Sequence, residues 1–456
     1  MSSNATRLQS EESFLDSHAP LAERQNVINP ELHKKYNTKR GLRNDDGTGV
    51  LIGLTEIGEV HGYVMDEGEK TPVEGRLSYR GIDVEELTNG FQTDGRFGFE
   101  EVVYLLLFGV LPDRAELQAF QELLSSKREL PVGFAEDMIL KAPSQDIMNK
   151  LARSTLASYS YDPNPEDLSV RNVLRQCVEL IARFPTMTAY GFQAKRHYYD
   201  GESLFLHAPD PSLGTAENLL HMFRSNQSFS RLEAETLDLA LVLHAEHGGG
   251  NNSAFTIHVV SSAATDTYSA VAAAVGSLKG AKHGGANGRV IRMMEDIKEH
   301  VKVWNDDDEV AAYLRRILRR EAFDKSGLIY GLGHAVYTLS DPRAVLLKKK
   351  AKELAESKQF GDELELYNVI ERVSPRVFRE ERQNQKNISP NVDFFSGFVY
   401  KMLNIPLELY TPIFAVSRIA GWCAHRIEEI VSGGRIIRPA YKNVLGHQAY
   451  VPMTER

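Results

Sequence analysis

The chain has 456 residues, 42% of them hydrophobic and 25% charged, a balance that suits a soluble globular protein long enough for two cores. Its net charge of −9 argues against nucleic acid as a partner, so an anionic ligand would need positive charge placed locally. Two cysteines, Cys177 and Cys423, exclude a disulfide framework and fit a reducing compartment, and no apolar run approaches the roughly 18 residues of a membrane span.

Residues 1–25 are polar and mixed in charge, without the apolar core of a signal peptide or the Arg-rich bias of a transit peptide. They read as a disordered leader, and the cytoplasm is the default location. From Thr48 to Gly68, short apolar runs punctuated by glycine predict one or two small β-hairpins. Asp83 is placed to cap a short helix at VEEL. Phe99 to Leu117 predicts a helix with Glu100 and Glu101 in its first turn and a stop at Gly109 and Pro112. Helical periodicity recurs over 116–127, 145–159, 170–184, 216–223 and 230–246, with a surface loop from His197 to Gly214. Four more helices follow Gly288, for which Asn287 and Asp341 are N-cap candidates, the second with Pro342 at its first position. The lysines at 348–350 read as a solvated helix face. Strand signal beyond residue 70 is almost absent, so the fold class is all-α and multi-helical, with a small β element near the N-terminus.

The run from Leu241 to Gly288 stands apart. It holds His244, His247, His258 and His283 of the chain's 14 histidines, and glycines break it at 248–250, 280 and 284–285. Leu237, Ala240, Leu241 and His244 recur at helical spacing, so the imidazoles sit where a buried helix meets a glycine break. Buried histidines often only satisfy a core hydrogen bond. His244 and His247 also invite a metal reading. Helical zinc sites usually pair histidines four apart with a third ligand, and neither CxxC nor HExxH is present, so no metal is assigned.

Three later pieces carry chemistry. GLIYGLGHAVYTLSDPRA brings three glycines up to His334 and then Arg343. Its G-x-G lacks the last glycine of a dinucleotide fingerprint, since Val336 stands there, and no GK[ST] follows. SPNVDFFSGFVY sets Asp393 among Val392, Phe394 and Phe395. Apolar company raises a carboxylate toward the range of a general base, yet Asp393 could equally open a helix as its cap. FAVSRIAGWCAHRIEEI and GGRIIRPAY supply Arg418 and Arg438, which on their own read as surface arginines. Together these pieces hold imidazoles, one half-buried carboxylate and three arginines. Arginine forks bind carboxylates bidentately, which points to a di- or tricarboxylate ligand. A carboxylate base with imidazole donors is what enolisation beside a carbonyl requires.

HAEHGGGN, AKHGGANG, GLGHAVYTLSDPR, NVDFFSG and VSRIAG, in this order, strongly resemble the citrate synthase family, as do LSYRGIDVEEL and FEEVVYLLLFGVLP nearer the start. The resemblance runs from about residue 40 to the end. It implies condensation of acetyl-CoA with oxaloacetate and water to citrate and CoA through an enolised thioester and citryl-CoA, or of propionyl-CoA in a 2-methylcitrate synthase. His283 then polarises the thioester carbonyl, Asp393 takes the methyl proton, and His334 donates to the ketone. His247, Arg343 and Arg418, with Arg438 of the other subunit of a homodimer, hold oxaloacetate, joined by Asn251, Ser253 and Asn391. Gly331, Leu332 and Gly333 would meet coenzyme A. No cofactor or metal is implied, because acetyl-CoA is a substrate.

The same resemblance implies a large helical domain of residues 26–284 and 405–456 and a small one of 285–404 that close over the substrates. Two departures stand out. Glu246-His247-Gly248 replaces the common Asp-His-Glu, which removes one acidic group, and Thr338 replaces a basic residue useful for a coenzyme A phosphate. Lys279, Lys282, Arg289 and Arg292 are the candidates left for that phosphate.

Overall fold

A computed structural model of the chain describes residues 2–45, 47–66, 69–382, 387–432 and 434–456, without the side chains of 2–11, 65–66 and 69–70. The chain is mainly helical, with one small antiparallel sheet. It divides into two compact units, Leu54–Ile437 and a smaller one of Met1–Gly53 with Arg438–Arg456. Among the described residues, no helix is long and apolar enough to cross a membrane.

In the smaller unit, Ser2–Gln25 is a helix where a disordered leader was expected, and its side chains are exposed throughout 12–25. Strong helix formers such as Glu, Leu, Ala and Arg act there by local propensity alone.

The sheet of the larger unit begins later and runs further than predicted. β1 (Gly58–Asp66) pairs with β2 (Glu69–Tyr79), and β2 pairs with β3 (Ile82–Asp83). The Gly68 end of the predicted hairpin lies outside the described residues. The sequence hides β2 because much of it is polar; its buried residues are Leu77 and Tyr79, on one face at period two. Arg80 and Gly81, both at positive φ, make the two-residue turn into β3.

The buried helices follow the apolar periodicity. Asp83 caps Val84–Thr93 through Glu85 N at 2.8 Å, and Gly109 at φ 78 ends Phe99–Phe108. The helix predicted to stop at residue 184 runs from Val170 to Asp200, through Pro185, and ends at Gly201 with φ 74. Proline removes one backbone hydrogen bond, but burial of Met187, Ala189, Phe192 and Ala194 beyond it carries the helix on. Asp341 caps Pro342–Lys358 as expected. Asn287 does not cap. Gly285 holds that position, and Asn287 lies inside Ala286–His300, buried, with its Oδ1 accepting from Gly288 N at 2.8 Å. Cys177 and Cys423, 246 positions apart, meet in the core where Val170–Asp200 packs against Tyr410–Val431, and both are free thiols.

Glycines let β1 and β2 act as a platform for the loop that carries His334. A Cβ on Gly62 would stand 2.8 Å from the Val336 carbonyl oxygen, and one on Gly75 would stand 2.6 Å from the Tyr337 ring. Gly75 N donates to Ser340 Oγ at 3.2 Å, and Tyr337 Oη donates to the Arg76 carbonyl at 3.3 Å. Tyr79, on the same strand, faces the carbonyls of Val242 and Glu246 at 2.9 and 3.3 Å. One strand thus holds both the loop of His334 and the loop of His247.

Candidate active site

The helix Arg231–His244 is capped by Ser230 and buried over most of its surface. It ends among His244, Ala245, Glu246 and His247, all buried, before Gly248 turns the chain at φ 82. Across from it lies Arg418, wholly buried on Tyr410–Val431, whose Nε donates to the His244 carbonyl at 2.6 Å. Among the described residues, its terminal nitrogens, Nη1 and Nη2, have no hydrogen-bond partner, nor do His247 Nε2 and both ring nitrogens of His244. A buried guanidinium normally finds acceptors for its donors, so these groups mark a place for an anion. Burial pushes Arg418 down to about 10, with Glu246 opposing the shift. Burial, then Arg343 and His334, holds His247 far below the usual imidazole range, so it is neutral at pH 7.

His334 lies on the facing loop, its ring nearly perpendicular to that of His247 with centroids 5.2 Å apart. Nδ1 of His334 accepts from the backbone N–H groups of Val336 and Tyr337 at 3.1 and 3.2 Å. A nitrogen that accepts twice carries no proton, so the network places the ring hydrogen on Nε2. Tyr337 stacks on the ring at 4.8 Å. Arg343 follows at the start of Pro342–Lys358, buried, with Nε and Nη2 on Asp341 at 3.0 and 2.7 Å.

Asp393 occupies the first turn of Val392–Met402, part-buried among aromatic residues. Asn391 caps that helix through Asp393 N at 3.0 Å, so the carboxyl of Asp393 is not used as a cap. Burial raises it to about 6, against the pull of Arg343. The loop before it is tied to the His334 loop: Gly333 N donates to Ser389 O at 2.8 Å, Asn391 N to Gly331 O at 2.9 Å, and Leu332 bridges Pro390. Asp341 Oδ2 also accepts from Val392 N at 3.2 Å. Gly331, at φ 80, leaves no room for a Cβ, which would stand 2.9 Å from Phe394 and Val290.

His283 sits in the turn between Thr267–Lys279 and Ala286–His300, with Nε2 3.1 Å from Ser253 Oγ. Burial first, and Arg418 second, push it down to about 4. Ser253 Oγ also accepts from Trp422 Nε1 at 3.0 Å and lies 3.0 Å from Asn251 Oδ1. Of the coenzyme A phosphate candidates, Arg289 donates to Tyr330 Oη at 3.0 Å beside Gly331, Lys279 pairs with Asp146 at 3.2 Å, and Lys282 and Arg292 are exposed. The Thr338 hydroxyl is buried without a hydrogen-bond partner among the described residues. Arg438, exposed, belongs to the smaller unit.

Sequence reasoning missed two roles and one pairing here. Asp341 reads as a cap, although its place two residues before Arg343 is the signal that it also grips that guanidinium. Trp422 carries no signal at all. Glu246 meets His425 at 3.0 Å across 179 positions, which no local pattern reveals.

Imidazoles that burial holds deprotonated, a buried Arg418 with free donors and a carboxylate raised to about 6, on a mainly helical scaffold, are the means to grip a small polycarboxylate and abstract a proton. The family model "Citrate synthase, C-terminal domain" matches residues 46–440. A citrate synthase of Haloferax volcanii is 35% identical over 406 residues, covering 88% of this chain and 94% of that protein. A 2-methylcitrate synthase of Corynebacterium glutamicum is 32% identical over 416 residues, covering 90% and 97%. Among solved structures, a Thermoplasma acidophilum citrate synthase in ternary complex with carboxymethyl coenzyme A and oxaloacetate superposes with a TM-score of 0.75, at 26% identity and 92% and 99% coverage. The chain belongs to the citrate synthase family.

Proposed function

We propose that the chain condenses acetyl-CoA with oxaloacetate and water to citrate and CoA, and that the residues above do so in the following roles. Arg343, Arg418 and His247 hold the oxaloacetate carboxylates, with Asn251, Ser253 and Asn391 lining the pocket. His334 donates its Nε2–H to the ketone oxygen. Asp393, ionised, removes a proton from the acetyl methyl group while His283 donates to the thioester oxygen, which becomes the enolate oxygen. The enol carbon then bonds to the ketone carbon, and the alkoxide formed takes a proton from the side of His334. Water cleaves citryl-CoA to citrate and CoA.

The observation that carries this reading is Arg418, a wholly buried cation whose two terminal nitrogens, like Nε2 of His247, have no hydrogen-bond partner among the described residues. A carboxylate satisfies both at once. Protein side chains supply each proton and charge the steps need, so we assign no cofactor and no metal.

His334, Arg343 and Asp393 come from residues 285–404, whereas His247, His283 and Arg418 come from elements on either side of that segment. This division supports a small domain that closes on a large one and excludes water from the enolising thioester. Gly331, Leu332 and Gly333, with Arg289 beside them, are the surface we assign to coenzyme A. We also assign a homodimer in which Arg438 serves the other subunit's site, and a cytoplasmic location in keeping with two free thiols.

The second reading, 2-methylcitrate synthesis from propionyl-CoA, is favoured by relatives of that name at 32% identity. One methylene is worth only about 1–3 kcal/mol in an apolar pocket, so catalytic efficiency with the two thioesters decides between them. A higher kcat/KM with propionyl-CoA would overturn the acetyl-CoA assignment.

A further inference from the structure

Behind the oxaloacetate pocket runs a line of four ionisable side chains that no step above uses. Glu429 Oε2 lies 2.8 Å from His258 Nδ1, His258 Nε2 lies 3.1 Å from His425 Nδ1, and His425 Nε2 lies 3.0 Å from Glu246 Oε1. Hydrogens can be placed in this line in one economical way. Glu429 accepts from His258 Nδ1–H, so His258 Nε2 accepts from His425 Nδ1–H, and His425 still needs a hydrogen on Nε2 for Glu246. His425 then carries two ring hydrogens and a positive charge, against a carboxylate with which it is completely buried. Among the described residues Glu428 also faces His425, with Oε2 3.7 Å from Nδ1.

Glu246 directly precedes His247 of the pocket, and its carboxylate has been given a slot. A Cβ on Gly58 would stand 2.7 Å from its Cγ, and one on Gly421 would overlap its Oε2. That second oxygen has no hydrogen-bond partner among the described residues. Gly421 lies three residues after Arg418, so carboxylate and guanidinium share one stretch of buried helix, and each acts on the other's charge. An uncompensated Glu246 would therefore compete with oxaloacetate for Arg418.

We infer that His425, backed by His258 and Glu429, is a positioning residue that neutralises Glu246 and so keeps the charge of Arg418 for the substrate carboxylate. This inference rests on the proposed oxaloacetate site. In this arrangement the departure to Glu246 in the histidine motif is matched by a cation of its own, and the buried pocket keeps a net positive charge for a dianion.

The test is a charge cycle on the full-length protein. His425→Gln keeps an N–H within reach of Glu246 but removes the charge; oxaloacetate affinity, read by calorimetry without acyl-CoA, should fall about ten-fold or more. Adding Glu246→Gln to that variant removes the stranded negative charge, and affinity should return to within about three-fold of wild type. A His425→Gln protein that binds as wild type does, or a double variant no better than the single, overturns the inference. A merely structural pair would not show that rescue. Should His425→Gln not fold, ¹⁵N-histidine NMR of the wild-type protein decides: one imidazole should stay doubly protonated at pH 8, and its absence overturns the inference. Because binding is read without a thioester, a chain that binds oxaloacetate but condenses nothing would sink the reaction and leave the charge pair tested.

Discussion

Asn391, two residues before Asp393, donates through Nδ2 to the carbonyl oxygen of Gly333, the residue before His334, at 2.9 Å. With the cap that Asn391 forms on Asp393 N, one side chain fixes the spacing between the proposed ketone donor and the proposed base. Asn391→Ala should cost roughly 1 kcal/mol of stability through the lost cap. It should lower kcat by about ten-fold or more, since a misplacement near 1 Å is enough for that. Thermal unfolding and steady-state kinetics on the same variant separate the two effects, and an unchanged kcat would contradict the positioning role.

The acid limb of turnover should fall near pH 6, where Asp393 titrates. Its ordinary value is 3.8, so the folded state holds this proton more tightly than the unfolded chain does, and stability is lost as pH rises between about 4 and 6. His283, held down to about 4 by burial and then Arg418, acts with the opposite sign over much of the same range. Comparing wild type with Asp393→Asn isolates the aspartate. The variant should be more stable at pH 7.5 by on the order of 2–3 kcal/mol, with the gap closing by pH 4. Denaturant titrations at the two pH values check this, and a less stable variant at pH 7.5 would contradict it.

Much of this was legible in the sequence because it is local. Histidines beside glycine breaks, Asp393 in apolar company and the caps at Asp83 and Asp341 all depend on near neighbours. What was not legible depends on partners far along the chain. β2 looks polar because its value lies in Leu77 and Tyr79 and in Gly75, which faces the loop of residues 334–340. The helix through Pro185 persists because of apolar residues buried beyond the proline. Asn287 looked like a cap, but the turn of Gly284 and Gly285 had already started the helix. Arg418 and Arg438 looked alike on paper; in the folded chain one is wholly buried and the other exposed.

Trp422 Nε1 can only donate, so it fills one lone pair of Ser253 Oγ and leaves the hydroxyl hydrogen for His283 Nε2 or Asn251 Oδ1. If it goes to His283, the ring hydrogen stands on Nδ1, free for the thioester oxygen. Ser253→Ala removes that constraint and should lower kcat about ten-fold while oxaloacetate affinity stays within about two-fold. A change confined to oxaloacetate affinity would place Ser253 in the keto-acid pocket alone.

The shared site predicts complementation. Asp393→Asn and Arg438→Ala homodimers should each be nearly inactive, yet unfolding and refolding them together should restore activity. Random mixing makes about half the dimers mixed, each with one intact site, so about a quarter of wild-type activity should return. No recovery, with mixed dimers confirmed by mass, would contradict a crossing Arg438.

The most direct test of condensation by Asp393 is the release of CoA from acetyl-CoA and oxaloacetate, followed with a thiol reagent in wild type and in Asp393→Asn, with oxaloacetate affinity measured beside it by calorimetry. Wild type should release CoA only when oxaloacetate is present. The variant should bind oxaloacetate nearly as well and release almost none, because the arginines hold the keto acid and the aspartate acts on the thioester. Turnover by Asp393→Asn at even roughly a tenth of the wild-type rate would contradict its role as the base, given what a positioned base contributes.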